Sequence, residues 1–335
     1  MKRHGDRGIV KAARAAISIA VSAVFVWATL SRVDLAATGQ ALGRAAPLGL
    51  ALVLAFAWLE IAVRAWRWRF LLSPLGKVGY GQAFAYTCVG YFANTLLPMR
   101  LGDVARAYLA ATALRLPRLA TLGSVVIERM TDGLTILALA AGLGFMVLDP
   151  SKVAHVELWV GLAVASGTAL IGLGALFAAR RSVVETLVPS RVRVFVARLV
   201  RGAEAVRSPR GAATAVGSTL AAYACAVCAM VAVAGSVGLH LTPIQAAFAM
   251  SWIALSTAIP AAPGSVGTYE FVGVSVLTML GQDPASALAA VVLLHVIGTV
   301  PVALVGLVMA LVLHLRVWRL GDGVTPGPEP AVQMA

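Results

Sequence analysis

Asn94, Arg100, Asp103 and Arg106, then Glu128, Arg129 and Asp132, and far downstream Glu270, interrupt long apolar runs. Each ionisable group placed inside a bilayer costs about 2.5–3.5 kcal/mol on insertion scales, so such groups are functional candidates. Arginine has a planar fork that grips a phosphate through two parallel hydrogen bonds. Arg100 and Arg106 follow a helix break, where free backbone amides can join a headgroup site. Glu128 and Asp132 are four residues apart on one helix face, and Arg129 reaches Asp132 at i, i+3. Two readings stand side by side. The arginines hold a phosphate while the carboxylates position or release them, or the charges form an ion-pair network that fastens this helix to Arg100 or Arg106. Glu270 suits a proton or cation relay, or a partner for an arginine of the first half.

Helix breaks must position these groups. Pro98, Pro260 and Pro263 stop helices, and Gly102, Gly264 and Gly267 permit tight turns and close backbone approach. Thr95-Leu-Leu-Pro98-Met-Arg-Leu-Gly102 and Thr257-Ala-Ile-Pro260-Ala-Ala-Pro-Gly264 share the pattern T-x-x-P-x-x-x-G at an offset of 162 residues. Gln82 and Gln245 open the two segments at nearly the same offset. Residues 80–113 and 243–280 are each too long for one crossing and broken midway. They read as re-entrant helix pairs with irregular backbone buried in protein.

The composition agrees with a membrane. Hydrophobic residues make up 60% and charged residues 12% of 335, against about 25% charged in soluble domains. A span needs about 20 apolar residues. Six full spans are expected, at residues 15–30, 46–63, 121–148, 156–178, 212–238 and 286–315. The fold class is therefore all-α, a polytopic membrane protein with six full spans and two broken re-entrant pairs.

Charge orients the layout. With the N-terminus inside, 21 Lys and Arg fall in inside segments and 3 in outside segments, a strong positive-inside bias. It survives only if both broken regions return to the side they came from. Both termini are then cytoplasmic. A basic N-terminus at 1–14 precedes a first half at 15–148 and a second half at 149–320, followed by a disordered cytoplasmic tail at 321–335. The halves enter from opposite sides, which is an inverted-topology repeat. Residues 183–205 read as an interfacial helix on the inner leaflet. Arg64-Ala-Trp-Arg-Trp-Arg69 reads as a headgroup anchor at a helix end.

Other chemistries are not supported. Cys88, Cys225 and Cys228 lie in apolar runs and read as core residues. The five histidines, His295 among them, are scattered, so no metal is expected. No nucleotide-binding or hydrolase motif occurs, and no cofactor is expected. The net charge of +13 flanks hydrophobic spans and does not suggest nucleic acid.

Asn94-x-x-x-Pro98-x-Arg100-x-Gly102-Asp103-x-x-Arg106, then Glu128-Arg129-x-x-Asp132, then Pro260-x-x-Pro263-Gly264-x-x-Gly267-x-x-Glu270 together resemble the lysylphosphatidylglycerol synthase transmembrane-region family, also called flippase-like domain proteins. The resemblance covers about residues 10–318. It implies a multi-pass protein of the bacterial inner membrane whose region translocates an aminoacylated lipid. The chain holds no soluble aminoacyl-transferase domain, so it is not expected to be a synthase. Ala261, Ala262 and Ser265 loosen the second proline motif and leave the lipid open. The expected function is binding and translocation of a phosphate-bearing lipid, an aminoacylated phospholipid or a lipid-linked sugar. The alternatives are an intramembrane transferase using Glu128 and Asp132, or a non-transporting partner of a separate glycosyltransferase or lipid synthase.

Overall fold

A computed structural model describes residues 18–97, 101–147, 197–259 and 262–314. The described residues form helices and no strands. In chain order they are α1 (Ser18–Leu30), α2 (Leu35–Gly43), α3 (Pro47–Leu72), α4 (Tyr80–Leu96), α5 (Gly102–Ala113), α6 (Arg118–Val147), α7 (Pro209–Ser236), α8 (Pro243–Ser256), α9 (Thr268–Met279) and α10 (Pro284–Val312). Short 3₁₀ turns lie at Arg201–Val206 and Pro263–Ser265.

Helix starts follow local chemistry. Pro47, Pro209, Pro243 and Pro284 open their helices, where the missing N–H costs nothing. Asp34, Ser208, Thr242 and Asp283 accept from first-turn amides. Gln82 and Gln245 do matching work in the two broken segments. Each sits at N3 and accepts from the N-cap amide, of Gly79 at 2.9 Å and of Thr242 at 3.0 Å.

Among the described residues four helices, α3, α6, α7 and α10, are long and apolar enough to cross a membrane. A fifth arises if α1 and α2 are joined across their 85° bend. The expected span at 156–178 lies outside the described residues, as do the N-terminus at 1–14, most of the expected interfacial helix and the tail at 321–335. The stretch between the first expected span and α3 is helical, because Asp34 caps α2 there. The described end of the 183–205 stretch, from residue 197 on, packs against α6. Its Gly202 is buried, and its backbone rests on α6, where a Cβ at Gly202 would strike Ala120 and Ser124.

Both broken segments are broken where expected. Leu97 adopts an extended conformation, φ −100° and ψ 134°, as a residue before proline must. Gly264 and Gly267 take φ 75° and 92°, which side chains with a Cβ rarely adopt. Gly102 is needed for closeness: a Cβ there would strike the Gly90 carbonyl and Asn94. Pro98, Arg100 and Pro260 lie outside the described residues.

Helix packing crosses between halves. α3 lies along α7, α4 against α10, and α6 against α8. Phe248, Met230, Ile253, Leu277 and Val291 fill the larger core. Trp68, Leu72, Tyr86 and Ala110 fill a second. Large apolar side chains such as Trp27, Phe145, Leu304 and Leu311 point outward, as on a lipid-facing surface.

Candidate functional site

Arginines from three helices converge on two carboxylates of α6. Arg67 of α3 grips Asp132 with both terminal nitrogens, at 2.5 and 3.1 Å, and lies 3.2 Å from Glu128. Arg106 of α5 meets Glu128 at 2.9 Å, and Arg129 meets it at 2.5 Å. All three guanidinium groups converge on Oε1 of Glu128. Arg64 joins Asp132 at 3.2 Å and Glu60 at 2.7 Å. Asp103 lies 3.5 Å from Arg106 and 3.6 Å from Arg129. Thr219 of α7 accepts from Arg67 at 2.5 Å and donates to Asp132 at 3.1 Å. The Arg106 guanidinium sits 4.8 Å over the Trp68 ring.

Arg64, Arg67, Arg106 and Arg129 balance Glu60, Asp103, Glu128 and Asp132, so the cluster is formally neutral. That neutrality permits burial. Arg67 and Glu128 are each 1% exposed and Arg106 is 2% exposed, and a lone charge so placed would cost several kcal/mol. Arg129, at 32%, is the accessible arginine of the set.

A cavity of about 460 Å³ adjoins the cluster. Glu60, Arg64, Arg129 and Asp132 make its charged wall. Asn94, Thr95 and Leu97 border it from the first break, and Thr257, Ala258 and Ile259 from the second. Both threonines of the T-x-x-P motifs therefore reach one space. Tyr91, Tyr223, Tyr269 and His295 add aromatic and polar surface. Asn94 also accepts from the Gly102 amide at 2.8 Å, bridging the first break.

The second break has its own bracing. Glu270 accepts from the Gly267 amide at 2.6 Å and lies 2.6 Å from His295 Nδ1. His295 Nε2 lies 3.0 Å from the Gly264 carbonyl, and its ring stacks on Tyr269 at 4.1 Å. Ser22 of α1 accepts from the Ala262 amide at 2.8 Å.

The expected site residues therefore divide. Asn94, Arg129 and Asp132 line the cavity. Asp103, Arg106 and Glu128 stand behind it; Asp103 and Glu128 hold Arg129, and Arg106 pairs with both of those carboxylates. Glu270 stands behind His295. Its partners are His295 and Gly267, not Arg106, whose carboxylates are Asp103 and Glu128. Arg64 and Arg67 correct the headgroup-anchor reading. They turn inward to α6 while Trp66 faces out. Glu60, Arg64 and Arg67 share one helix face at i, i+4 and i+7, the signal that distinguishes them from an anchor. Among the described residues no group of three possible metal ligands occurs. The three cysteines are free; Cys88 and Cys225 are buried, and Cys228 is exposed rather than in the core.

Spanning helices around a buried charge cluster define a multi-pass membrane protein. The chain belongs to the lysylphosphatidylglycerol synthase transmembrane-region family, whose model matches residues 15–306. It is similar to the glycosyltransferase AglD of Haloferax volcanii, with 28% identity over 278 residues. The match covers 70% of this chain and 44% of that relative, so this chain spans under half the relative's length.

Proposed function

We propose that the chain binds a phosphate-bearing lipid at the cavity and moves its headgroup across the membrane. The observation that carries this reading is the position of Arg64 and Arg129 on the wall of a cavity bordered by both helix breaks. Arg129 is the phosphate contact; Asp103, Glu128 and Asp132 hold it in place, and Arg67 and Arg106 brace those carboxylates. The phosphate displaces one carboxylate contact, since every arginine of the cluster is paired. The helix breaks are the moving parts, as in transporters built from inverted repeats. The crossed packing of α4 on α10 and α6 on α8 supports such a repeat, as do the matched threonines and glutamines. In this reading both termini are cytoplasmic and the membrane is the inner membrane of a bacterium.

The test is lipid movement by the purified protein in liposomes carrying fluorescent phosphatidylglycerol. Dithionite should bleach the inner-leaflet pool through the wild type and not through Arg129→Gln. Equal movement by both would remove Arg129 from the reading.

A second reading is favoured by the name of the relative. The chain then holds a lipid-linked sugar for a separate glycosyltransferase. Co-purifying polyprenyl-phosphate lipid, with no movement in liposomes, would select it. An intramembrane transferase using Glu128 is weaker, because Glu128 does not reach the cavity wall.

A further inference from the structure

Glu270 and His295 lie outside the arginine cluster, and headgroup binding does not use them. Their geometry constrains their protons. The Gly264 carbonyl can only accept, so His295 Nε2, 3.0 Å away, carries a hydrogen. Nδ1 and Glu270 Oε1 are 2.6 Å apart. Two acceptors cannot sit so close, so one further proton lies between them. It makes either a carboxylate and an imidazolium or a carboxylic acid and a neutral imidazole, both of zero net charge. Glu270 Oε2 is tied to the Gly267 amide, on a residue with φ 92°. The proton therefore closes a chain from Gly264 through His295 and Glu270 to Gly267, around the second break.

We propose that Glu270 and His295 form a proton-binding site whose loading holds the second helix break closed against the cavity, and whose deprotonation loosens it. Loss of the proton to water in the cavity leaves the pair with net charge −1. The carboxylate then faces the Nδ1 lone pair at 2.6 Å. That contact is repulsive, and the pair separates. His295 lines the cavity, so the proton has a route out. Tyr269 of α9 stacks on His295, and the same cavity is faced by Glu60 and Arg64 of α3, Tyr91 of α4, Arg129 and Asp132 of α6 and Tyr223 of α7. Arg64 is already paired with Glu60 and Asp132. The described residues of α1 and α8 bring no charge. Among the described residues no fixed cation meets Glu270 in place of the proton; its partners there are His295 and the Gly267 amide. This deepens the lipid-moving reading and rests on it only for the purpose of the motion.

The test needs no lipid substrate. The full chain, made cysteine-free apart from Ala258→Cys beside the break, is placed in phosphatidylethanolamine–phosphatidylglycerol liposomes. Maleimide labelling is measured from mildly acidic to mildly alkaline pH. Each rate is divided by that of a Gln40→Cys control, which removes the thiol's own pH response. The relative rate should rise several-fold with pH. Glu270→Gln, whose amide donates to Nδ1 without a removable proton, should stay at the low-pH rate. His295→Gln should stay high throughout. A flat wild-type profile, or a Glu270→Gln profile that follows the wild type, would overturn the proposal. Should the Gln variant not fold, nitrogen-15 NMR of histidine in the wild type decides. The His295 signals are assigned as those missing from His295→Gln. Nδ1 should shift with pH while Nε2 stays protonated, and an invariant Nδ1 would overturn it. Either failure leaves the Arg129 lipid assay untouched, so the two readings fail separately.

Discussion

Arg67 and Asp132, 65 residues apart in sequence, meet through two N–H···O contacts of 2.5 and 3.1 Å, with Arg67 buried behind the cavity wall that Asp132 forms. This pair fastens α3 to α6, and Thr219 extends the joint to α7. Removing one partner strands the other charge, at a cost of about 3–5 kcal/mol. Arg67→Gln and Asp132→Asn should each lower the melting temperature of the detergent-solubilised protein sharply. The double variant should lose less than the sum, a non-additive cycle. Additive losses would mean the two act independently.

Gly102 offers a second stability test. A Cβ at that position meets backbone of α4 on two sides, and overpacking of this kind costs about 1–3 kcal/mol. Gly102→Ala should destabilise the protein and disturb the first break. Gly142 is a fair control, since nothing lies within 4 Å of its added Cβ. Gly142→Ala should be neutral or stabilising by about 1 kcal/mol, from helix propensity alone. Thermal unfolding of both variants checks the contrast.

Much of this arrangement was legible in the sequence. Proline and glycine in apolar runs announced both breaks, because few other residues stop a helix there. Glu128, Arg129 and Asp132 stood out because charge inside an apolar run is costly. The inward turn of Arg67 was hidden. A stretch alternating tryptophan and arginine at a helix end is also what a headgroup anchor contains, and only the shared face with Glu60 one turn earlier sets the two apart in the sequence. Glu270 stood out as a charge in an apolar run, but its partner did not, since His295 lies 25 residues on in another helix. The bend between α1 and α2 was hidden too, because Asp34 looks like an ordinary loop residue until it caps a helix.

Arg106 and Arg129 both pair with Glu128 yet should fail differently. Arg106 is buried and does not border the cavity, whereas Arg129 does. Lysine keeps the charge and loses the fork. Arg106→Lys should lower stability first, with transport by the folded fraction largely retained. Arg129→Lys should fold and lose lipid movement. Melting temperature and the liposome assay, measured on the same preparations, separate the two. Loss of transport at full stability in Arg106→Lys would move the headgroup contact to Arg106.

The arrangement of the chain in the membrane gives the last prediction. The positive-inside bias requires both broken segments to return to the side they came from. Lys77 and Arg207 are exposed at the ends of helices, and Gln40 is exposed on α2. Lys77→Cys and Arg207→Cys, in a cysteine-free background, should resist a membrane-impermeant maleimide added to intact cells and label after permeabilisation. Gln40→Cys should label in intact cells. The two inside positions flank the first broken segment together with α6 and the stretch leading to α7. If that broken segment crossed the membrane once, the two would lie on opposite faces. Strong labelling of Arg207→Cys in intact cells, with Lys77→Cys protected, would therefore make 80–113 a single crossing. The positions of Thr95 and Thr257 on one cavity would then need another origin than a pair of re-entrant breaks.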